Sequence, residues 1–322
     1  FKTVPGAKDP SEGDTWPNPQ EIPLGGGAVW TPLSLDVNKA ELYVAVTNPA
    51  PDLPAHLRPG PNLYTNSIVA LDVRTGALRW YRQLVPNDAH DWDLTQVSPL
   101  LRLTVEGQER TFATTVGKDG ILRPIDRETH EVLWETEITT QKNVDVPLTT
   151  EGVLVCPGVL GGVEWNGPAW DPRTRSLFVN AVDWCSTFSL SDEEIMYVPG
   201  ELYIGGEIEM ENESRGWLSA VDAVTGRIRW RYESDRPMLA AVITTSGGLV
   251  FTGELNGSFL AFDADTGKEL YRFNTGGPIG GGIVTYELEG RQYVATVSGN
   301  ASMWFGPEGA PVVVVLALPD PG

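Results

Sequence analysis

The segment NSIVALDVRTGALRW, residues 66–80, is the first of four gapless copies of one pattern. The other copies are GILRPIDRETHEVLW (120–134), GWLSAVDAVTGRIRW (216–230) and GSFLAFDADTGKELY (257–271). Apolar residues alternate up to a shared Asp, which is the period of a half-buried strand. The D-x-x-T-G that follows favours a turn, because the Asp caps it and the Gly accepts a positive φ. Each copy therefore predicts a β-hairpin that ends on Trp or Tyr, although His130 replaces the Gly in the second copy.

The spacing of the repeats is that of propeller blades. The shared aspartates, at positions 72, 126, 222 and 263, are separated by 54, 96 and 41 residues. A period near 40 to 50 with one diverged unit is typical of four-stranded blades. A second hairpin pair, LDVNKAELYVAVTN (35–48) and WDPRTRSLFVNAVD (170–183), supports this interpretation. With no helical pattern, the sequence predicts an all-β propeller, in which Trp80, Trp134 and Trp230 pack between blades.

Composition excludes several classes of protein. The 322 residues carry a net charge of -20 without a basic cluster, so nucleic acid is not an expected partner. The chain has no apolar run of about 18 residues, so we predict no transmembrane segment. Its two cysteines, Cys156 and Cys185, form no C-x-x-C, which argues against a zinc ribbon or attached haem. They are free thiols in a cytosolic protein or a disulfide in an exported one.

Four stretches depart from the repeat and are candidates for function. GGGAVW (25–30) places glycines before Trp30, and VTNPAPDLPAHLRPGPN (46–62) opens a proline-rich excursion at Asn48. DAHDWDLTQ (88–96) sets three aspartates beside a tryptophan, and VGKDGILRP (116–124) places Lys118 before a strand. Each has a structural alternative: an inter-blade ring, a turn cap, solvated aspartates and a solvated turn pair. Their order and spacing are what favour a functional site.

These stretches together resemble the pyrroloquinoline quinone (PQQ)-dependent alcohol dehydrogenases, the quinoprotein propellers. The resemblance runs from Phe1 to Gly322 and includes, in the family's order, CPGVLGGVEWNGPAWDP, NAVDWC and GRQYVATVSG. It implies a β-propeller of the quinoprotein dehydrogenase type with roughly five to six of eight four-stranded blades. We therefore expect a single propeller domain over residues 1–322, the C-terminal part of a larger propeller truncated at its N-terminus.

The resemblance implies PQQ-dependent oxidation of an alcohol, polyol or sugar by hydride transfer to the quinone. Asp93 matches the family's catalytic base, which also neighbours the metal, and Asn48 matches one of the family's metal ligands. The expected cofactor-binding residues are Trp30, which would stack on the quinone, Lys118, which would contact its oxygens, Trp304 and Asn166. Asn166 lies in EWN (164–166), which replaces the family's commoner Asn-Trp pair.

The resemblance also bears on the metal, the cysteines and the partners. Lanthanide-using members carry an extra Asp two residues after the base, where this chain has Thr95, so Ca²⁺ is expected. Cys156 and Cys185 match the family's disulfide, which implies a periplasmic protein. No haem domain follows, so electrons would leave to a separate acceptor, a cytochrome c or a membrane quinone. The alternative is a non-catalytic propeller scaffold that docks proteins in the periplasm.

Overall fold

The computed structural model describes residues 1–5, 15–16, 23, 25–299, 302–306 and 309–317. Across these ranges, five antiparallel sheets of three to five strands follow one another along the chain, accompanied by a two-stranded sheet. A 3-10 helix, Ala55–Leu57, interrupts the proline-rich excursion. Within the same ranges, no helix has the length and apolar character that crossing a membrane requires. The all-β propeller prediction is confirmed, while the assignment of residues 1–322 to one domain stays a prediction.

The first strands form a two-stranded sheet and sheets 1 and 2. The two-stranded sheet pairs β1 (Gly25–Gly26) with β4 (Pro49–Ala50). Sheet 1 contains β2 (Ser34–Asp36), β3 (Glu41–Val46), β5 (Ser67–Asp72) and β6 (Leu78–Gln83), in that spatial order. Sheet 2 contains β7 (Leu94–Val105), β8 (Gln108–Gly117), β9 (Ile121–Asp126) and β10 (Thr136–Glu137), also in chain order.

Sheets 3 to 5 continue the meander. Sheet 3 contains β11 (Val153–Val155), β12 (Ala169–Asp171), β13 (Ser176–Leu190), β14 (Gly206–Asp222) and β15 (Ile228–Ser234). The two short strands β11 and β12 both pair with β13. Sheet 4 contains β16 (Ile243–Thr244), β17 (Leu249–Gly253), β18 (Ser258–Asp263) and β19 (Glu269–Asn274). Sheet 5 contains β20 (Ile283–Leu288), β21 (Arg291–Ser298) and β22 (Val312–Ala317). Each sheet is thus a blade of consecutive antiparallel strands.

The repeat forms the turn that its residues predict. Asp72 Oδ1 accepts hydrogen bonds from the backbone N–H groups of Arg74 and Thr75, both at 3.0 Å. The Thr75 hydroxyl adds a third at 3.1 Å. Corresponding backbone bonds recur at the other three shared aspartates, 126, 222 and 263. The Asp-to-Thr spacing is therefore fixed by local hydrogen bonding.

The repeat tryptophans pack on the turn of the next blade. A Cβ on Gly226 would lie 2.8 Å from the Trp134 ring, and one on Gly267 would lie 2.6 Å from the Trp230 ring. Both rings also donate an Nε1–H bond to a carbonyl beside that turn, at 3.0 and 3.1 Å. Trp80 stacks instead on His130, with ring centroids 4.3 Å apart. The histidine therefore replaces the flat glycine surface with a flat ring.

The hydrophobic core lies between consecutive sheets. The four clusters that join neighbouring blades contain Tyr43, Ile68 and Ile125; Phe112, Leu122 and Leu177; Phe178, Leu218 and Phe262; and Phe259, Ile283 and Val294. Burial of these side chains contributes about 1.5–3 kcal/mol each. The stacked blades thus hold their loops, at either end, in fixed relative positions.

The two cysteines form a disulfide. β11 pairs with β13 so that Val155 faces Ser186, which brings Cys156 and Cys185 together with Cα atoms 4.4 Å apart. This confirms the pairing that the family resemblance implied and rules out the two free thiols.

Candidate active site

Asp93 and Lys118 meet at one end of sheet 2. Asp93 immediately precedes β7 and Lys118 immediately follows β8, its antiparallel neighbour. The Lys118 backbone N–H donates to the Asp93 carbonyl at 2.9 Å. The Lys118 ammonium lies 2.9 Å from Asp93 Oδ2 and 3.0 Å from Asp91 Oδ2. The side chains of Lys118 and Asp93 are only 8% and 7% exposed, so this is a buried ion cluster.

Asn48 joins the cluster from the end of sheet 1. Its backbone N–H donates to Asp93 Oδ1 at 3.2 Å. Its side-chain Nδ2 donates to Asp52 Oδ1 at 3.0 Å and to the Pro49 carbonyl at 3.2 Å. The structure therefore brings together three residues that the sequence predicted: Asn48 from sheet 1, and Asp93 and Lys118 from sheet 2.

Glycines allow the backbone segments around the cluster to touch. A Cβ on Gly117 would lie 2.3 Å from the Asp93 carbonyl oxygen, and one on Gly162 would lie 2.4 Å from that of Lys118. Gly26 is similarly closed in by the carbonyl of Asn48, at 2.2 Å. Gly26, one of the glycines before Trp30, thus allows close contact with the Asn48 backbone. No side chain larger than hydrogen fits at these positions without a backbone shift.

Glu164 is a buried member of this site that sequence reasoning missed. It follows the Gly162 segment, in which Val163 N–H donates to the Gly117 carbonyl at 3.0 Å. The residue is 6% exposed, and its Oε1 has no hydrogen-bond partner among the residues that the structure describes. Buried carboxyl oxygens without a partner are rare and mark a site for a missing donor or cation. The signal in the sequence was the departure at EWN, which drew attention to Asn166.

Carboxyl groups outnumber the cations in the site. Burial raises the pKa of Asp91 to about 7, against the opposing effect of Lys118. Burial likewise raises the pKa of Glu164 to about 7, with Asp93 and Asp91 adding to the shift. Burial and the charges of Asp91 and Asp88 raise the pKa of Asp52 to about 8. Burial alone would lower the pKa of Lys118, but Asp93 and Asp91 outweigh it and raise the value. The site therefore favours an added positive charge.

The donor set suits a hard cation. Asn48 supplies an amide oxygen and Asp93 a carboxylate, and oxygen ligands are those that Ca²⁺ takes. Within the described part of the chain, Asn48 Oδ1 accepts no hydrogen bond while Nδ2 makes two. A group of three or more His, Cys, Asp or Glu side chains that could hold a metal is absent from the same residues. Asn48 and Asp93 therefore fit as part of a ligand set.

Thr95 has a structural contact. Its buried hydroxyl donates to the Val163 carbonyl at 2.6 Å, which ties β7 to the segment that carries Glu164. It brings no carboxylate to the site.

The other predicted cofactor-binding residues are two exposed tryptophans and an asparagine that bonds to a neighbouring loop. Trp30 and Trp304 are 43% and 60% exposed, so both present open ring surface. The Asn166 Nδ2 donates to the Leu239 carbonyl at 2.6 Å, and Trp165 beside it donates to the Gly280 carbonyl at 2.6 Å. Asn166 thus links loops of neighbouring blades, and its contact with a cofactor stays a prediction.

The chain is similar to known proteins over most of its length. A family model named PQQ and described as glucose/ethanol/alcohol dehydrogenase, β-propeller domain, matches residues 1–146. A second model, described as outer membrane protein assembly factor BamB, matches residues 213–309. The second match covers repeats of sheets 3 to 5 and does not include Asn48, Asp93 or Lys118.

Curated relatives and solved structures agree with the first model. The chain is 31% identical to a putative dehydrogenase XoxF of Paracoccus denitrificans, covering 92% of this chain and 52% of the relative. It is 32% identical to the quinoprotein alcohol dehydrogenase PedH of Pseudomonas putida, covering 89% of this chain and 52% of the relative. A europium-containing methanol dehydrogenase superposes with a TM-score of 0.81 at 28% identity, covering 92% of this chain and 55% of that one. The chain thus spans about half the length of the curated relatives it matches.

Proposed function

We propose that the chain belongs to the family of quinoprotein (PQQ-dependent) alcohol dehydrogenases and that the protein oxidises an alcohol, polyol or sugar hydroxyl with Asp93 as base. The observation that carries this proposal is the convergence of Asn48, Asp93 and Lys118 in one buried cluster. A propeller that only docks proteins has no physical need for a buried ammonium between two carboxylates.

Asp93 is suited to accept a hydroxyl proton. Its two oxygens are held in place by the Asn48 N–H and the Lys118 ammonium, which fix the orientation of the carboxyl group. A positioned carboxylate of this kind contributes about 10²- to 10⁴-fold in general-base catalysis. Lys118 would stabilise negative charge that develops on an oxygen beside it.

The cofactors complete the site. When bound, PQQ supplies the electrophilic carbon that accepts the hydride, and a hard cation supplies Lewis acidity. Asn48 and Asp93 would hold the cation, and Trp30, Lys118, Asn166 and Trp304 are the proposed PQQ contacts. We propose Ca²⁺ rather than a lanthanide, because Thr95 brings no anionic ligand to the site.

The substrate class, the electron acceptor and the location of the protein are also proposals. The substrate is a small molecule, and a separate acceptor, a cytochrome c or a membrane quinone, would take the electrons. The disulfide between Cys156 and Cys185 supports a periplasmic location, because disulfides persist in oxidising compartments.

The test is dye-linked oxidation of a panel of alcohols, polyols and sugars by the whole protein. The rates are compared after loading with PQQ and Ca²⁺ and after loading with PQQ and La³⁺. Asp93→Asn should lower kcat by about 10²- to 10⁴-fold while PQQ binding, followed by Trp fluorescence, persists. Asp235 is an exposed carboxylate remote in sequence from the site. Asp235→Asn is therefore the matched control and should keep full turnover. Absence of PQQ binding by the wild-type protein would favour the protein-docking scaffold instead.

A further inference from the structure

Asp52 holds the side-chain amide of Asn48. Asn48 Nδ2 carries two N–H groups, and both have acceptors: Asp52 Oδ1 at 3.0 Å and the Pro49 carbonyl at 3.2 Å. An amide whose NH₂ is committed in this way can turn only its oxygen towards a ligand. We propose, on the basis of the function proposed above, that Asp52 is a positioning residue that aims Asn48 Oδ1 at the bound cation.

The backbone on both sides of Asp52 is fixed. Its N–H donates to the Tyr203 carbonyl at 3.0 Å, and the next residue, Leu53, donates to the Ile204 carbonyl at 3.0 Å. The Asp52 carbonyl accepts a 2.6 Å bond from Arg58 Nη2. The Asp52 backbone therefore cannot move away from Asn48 without breaking contacts to two other segments.

Arg58 connects this residue to the loop that carries the catalytic candidate. The side chain is 1% exposed and donates to the Pro51 carbonyl at 2.8 Å, to Asn62 Oδ1 at 2.9 Å and to the Asp88 carbonyl. Asp88 in turn accepts the Trp92 N–H at 2.8 Å, next to Asp93. Burial lowers the pKa of Arg58 to about 10, against the pull of Asp88 and Asp52, so the guanidinium stays charged at neutral pH. One buried cation thus bridges the Asn48 and Asp93 loops.

Metal sites commonly orient their ligands through hydrogen bonds to neighbouring residues such as Asp52. Removal of such a neighbour typically weakens metal binding about 10- to 100-fold. The role requires an acceptor oxygen beside Asn48 Nδ2 rather than a negative charge. Asp52→Ala removes the acceptor, whereas Asp52→Asn can keep it through its own Oδ1. The two variants therefore separate positioning from charge.

The experiment is titration of the whole protein with Tb³⁺, followed by Trp-sensitised luminescence, and displacement of Tb³⁺ by Ca²⁺. We expect Asp52→Ala to weaken both affinities about 10- to 100-fold and Asp52→Asn to weaken them less than about 3-fold. Asp235→Ala is the control for loss of one carboxylate and should match the wild type. Excess Ca²⁺ should restore the turnover of Asp52→Ala, which a folding defect would not allow.

Each other outcome has one meaning. Equal weakening by Asp52→Asn and Asp52→Ala would replace positioning with a charge effect and overturn the proposal. An unchanged affinity in Asp52→Ala, with the wild type binding normally, would overturn it too, while the proposed function would stand. A wild-type protein that binds neither ion would remove the cation site itself, and with it the proposed role of the metal.

Discussion

Replacing Lys118 by methionine should destabilise the protein in a pH-dependent way. The ammonium lies 2.9 Å from Asp93 Oδ2 and 3.0 Å from Asp91 Oδ2, with its side chain 8% exposed. Its removal leaves two carboxylates in the same buried space without a cation. Breaking a buried ionic cluster by deleting one partner typically costs about 3–5 kcal/mol, which we expect for Lys118→Met at pH 8.

Asp91 can relieve part of this penalty by taking up a proton. Burial already raises its pKa to about 7, against the opposing effect of Lys118, so the folded protein binds this proton more tightly than the unfolded chain. A carboxyl shifted upwards destabilises the fold as pH rises through the interval between its ordinary value and its folded value. At pH 5.5 the group is protonated with or without Lys118. At pH 8 it is ionised in the wild type, but in the variant it must be protonated or ionise without a cation.

The penalty of Lys118→Met should therefore be smaller at pH 5.5 than at pH 8 by about 1.4 kcal/mol, the value of one pKa unit. The measurement is urea unfolding of the metal- and PQQ-free whole protein at both pH values, followed by Trp fluorescence. Lys142→Met, at an exposed position, is the matched control and should change the free energy of unfolding by less than about 0.5 kcal/mol. In an Asp91→Asn background, Lys118→Met should show a smaller pH dependence, and the remainder comes from Glu164, whose pKa Lys118 also lowers. A penalty that is equal at both pH values, or that Asp91→Asn does not reduce, would refute the ion-cluster reasoning.

Three further outcomes follow from the same structure. From pH 4.5 to pH 8, the stability of Glu164→Gln relative to the wild type should rise by roughly 2–3 kcal/mol. The reason is that burial raises the Glu164 pKa to about 7, so the wild type loses stability as this carboxyl ionises. Urea unfolding at both pH values measures the difference. Reduction of the Cys156–Cys185 bond, which spans 29 residues, should lower the free energy of unfolding by about 3–4 kcal/mol, and a Cys156→Ser/Cys185→Ser variant should show no response to the reductant. Gly267→Ala should lower the thermal midpoint clearly more than Gly276→Ala, because both glycines have positive φ but only a Cβ at Gly267 meets the Trp230 ring; equal effects would contradict the packing role of that glycine.

The blade and its turns can be predicted from local features of the sequence. Alternating apolar residues specify a strand through contacts between near neighbours, and each repeat Asp finds its hydrogen-bond donors two and three residues later. Both effects are local, so the hairpins can be predicted without knowing what packs against them. The family resemblance added the choice of Asn48, Asp93 and Lys118, which no local rule distinguishes from turn caps and solvated charges.

The way in which those residues are held depends on contacts between segments that are distant in the chain. Glu164 reaches the ion cluster because Gly162 lets its backbone lie against Lys118, a contact between chain segments that the sequence does not relate. Likewise, Asp52 and Arg58 stand in a proline-rich excursion without a period, and their partners come from the 88–93 loop and the 203–204 segment. Asn166 matched a motif, yet its side chain bonds to the Leu239 carbonyl. The physical reason is that charges and hydrogen-bond donors in loops take the partners that blade packing brings near, and that packing is set by side chains far away in the chain.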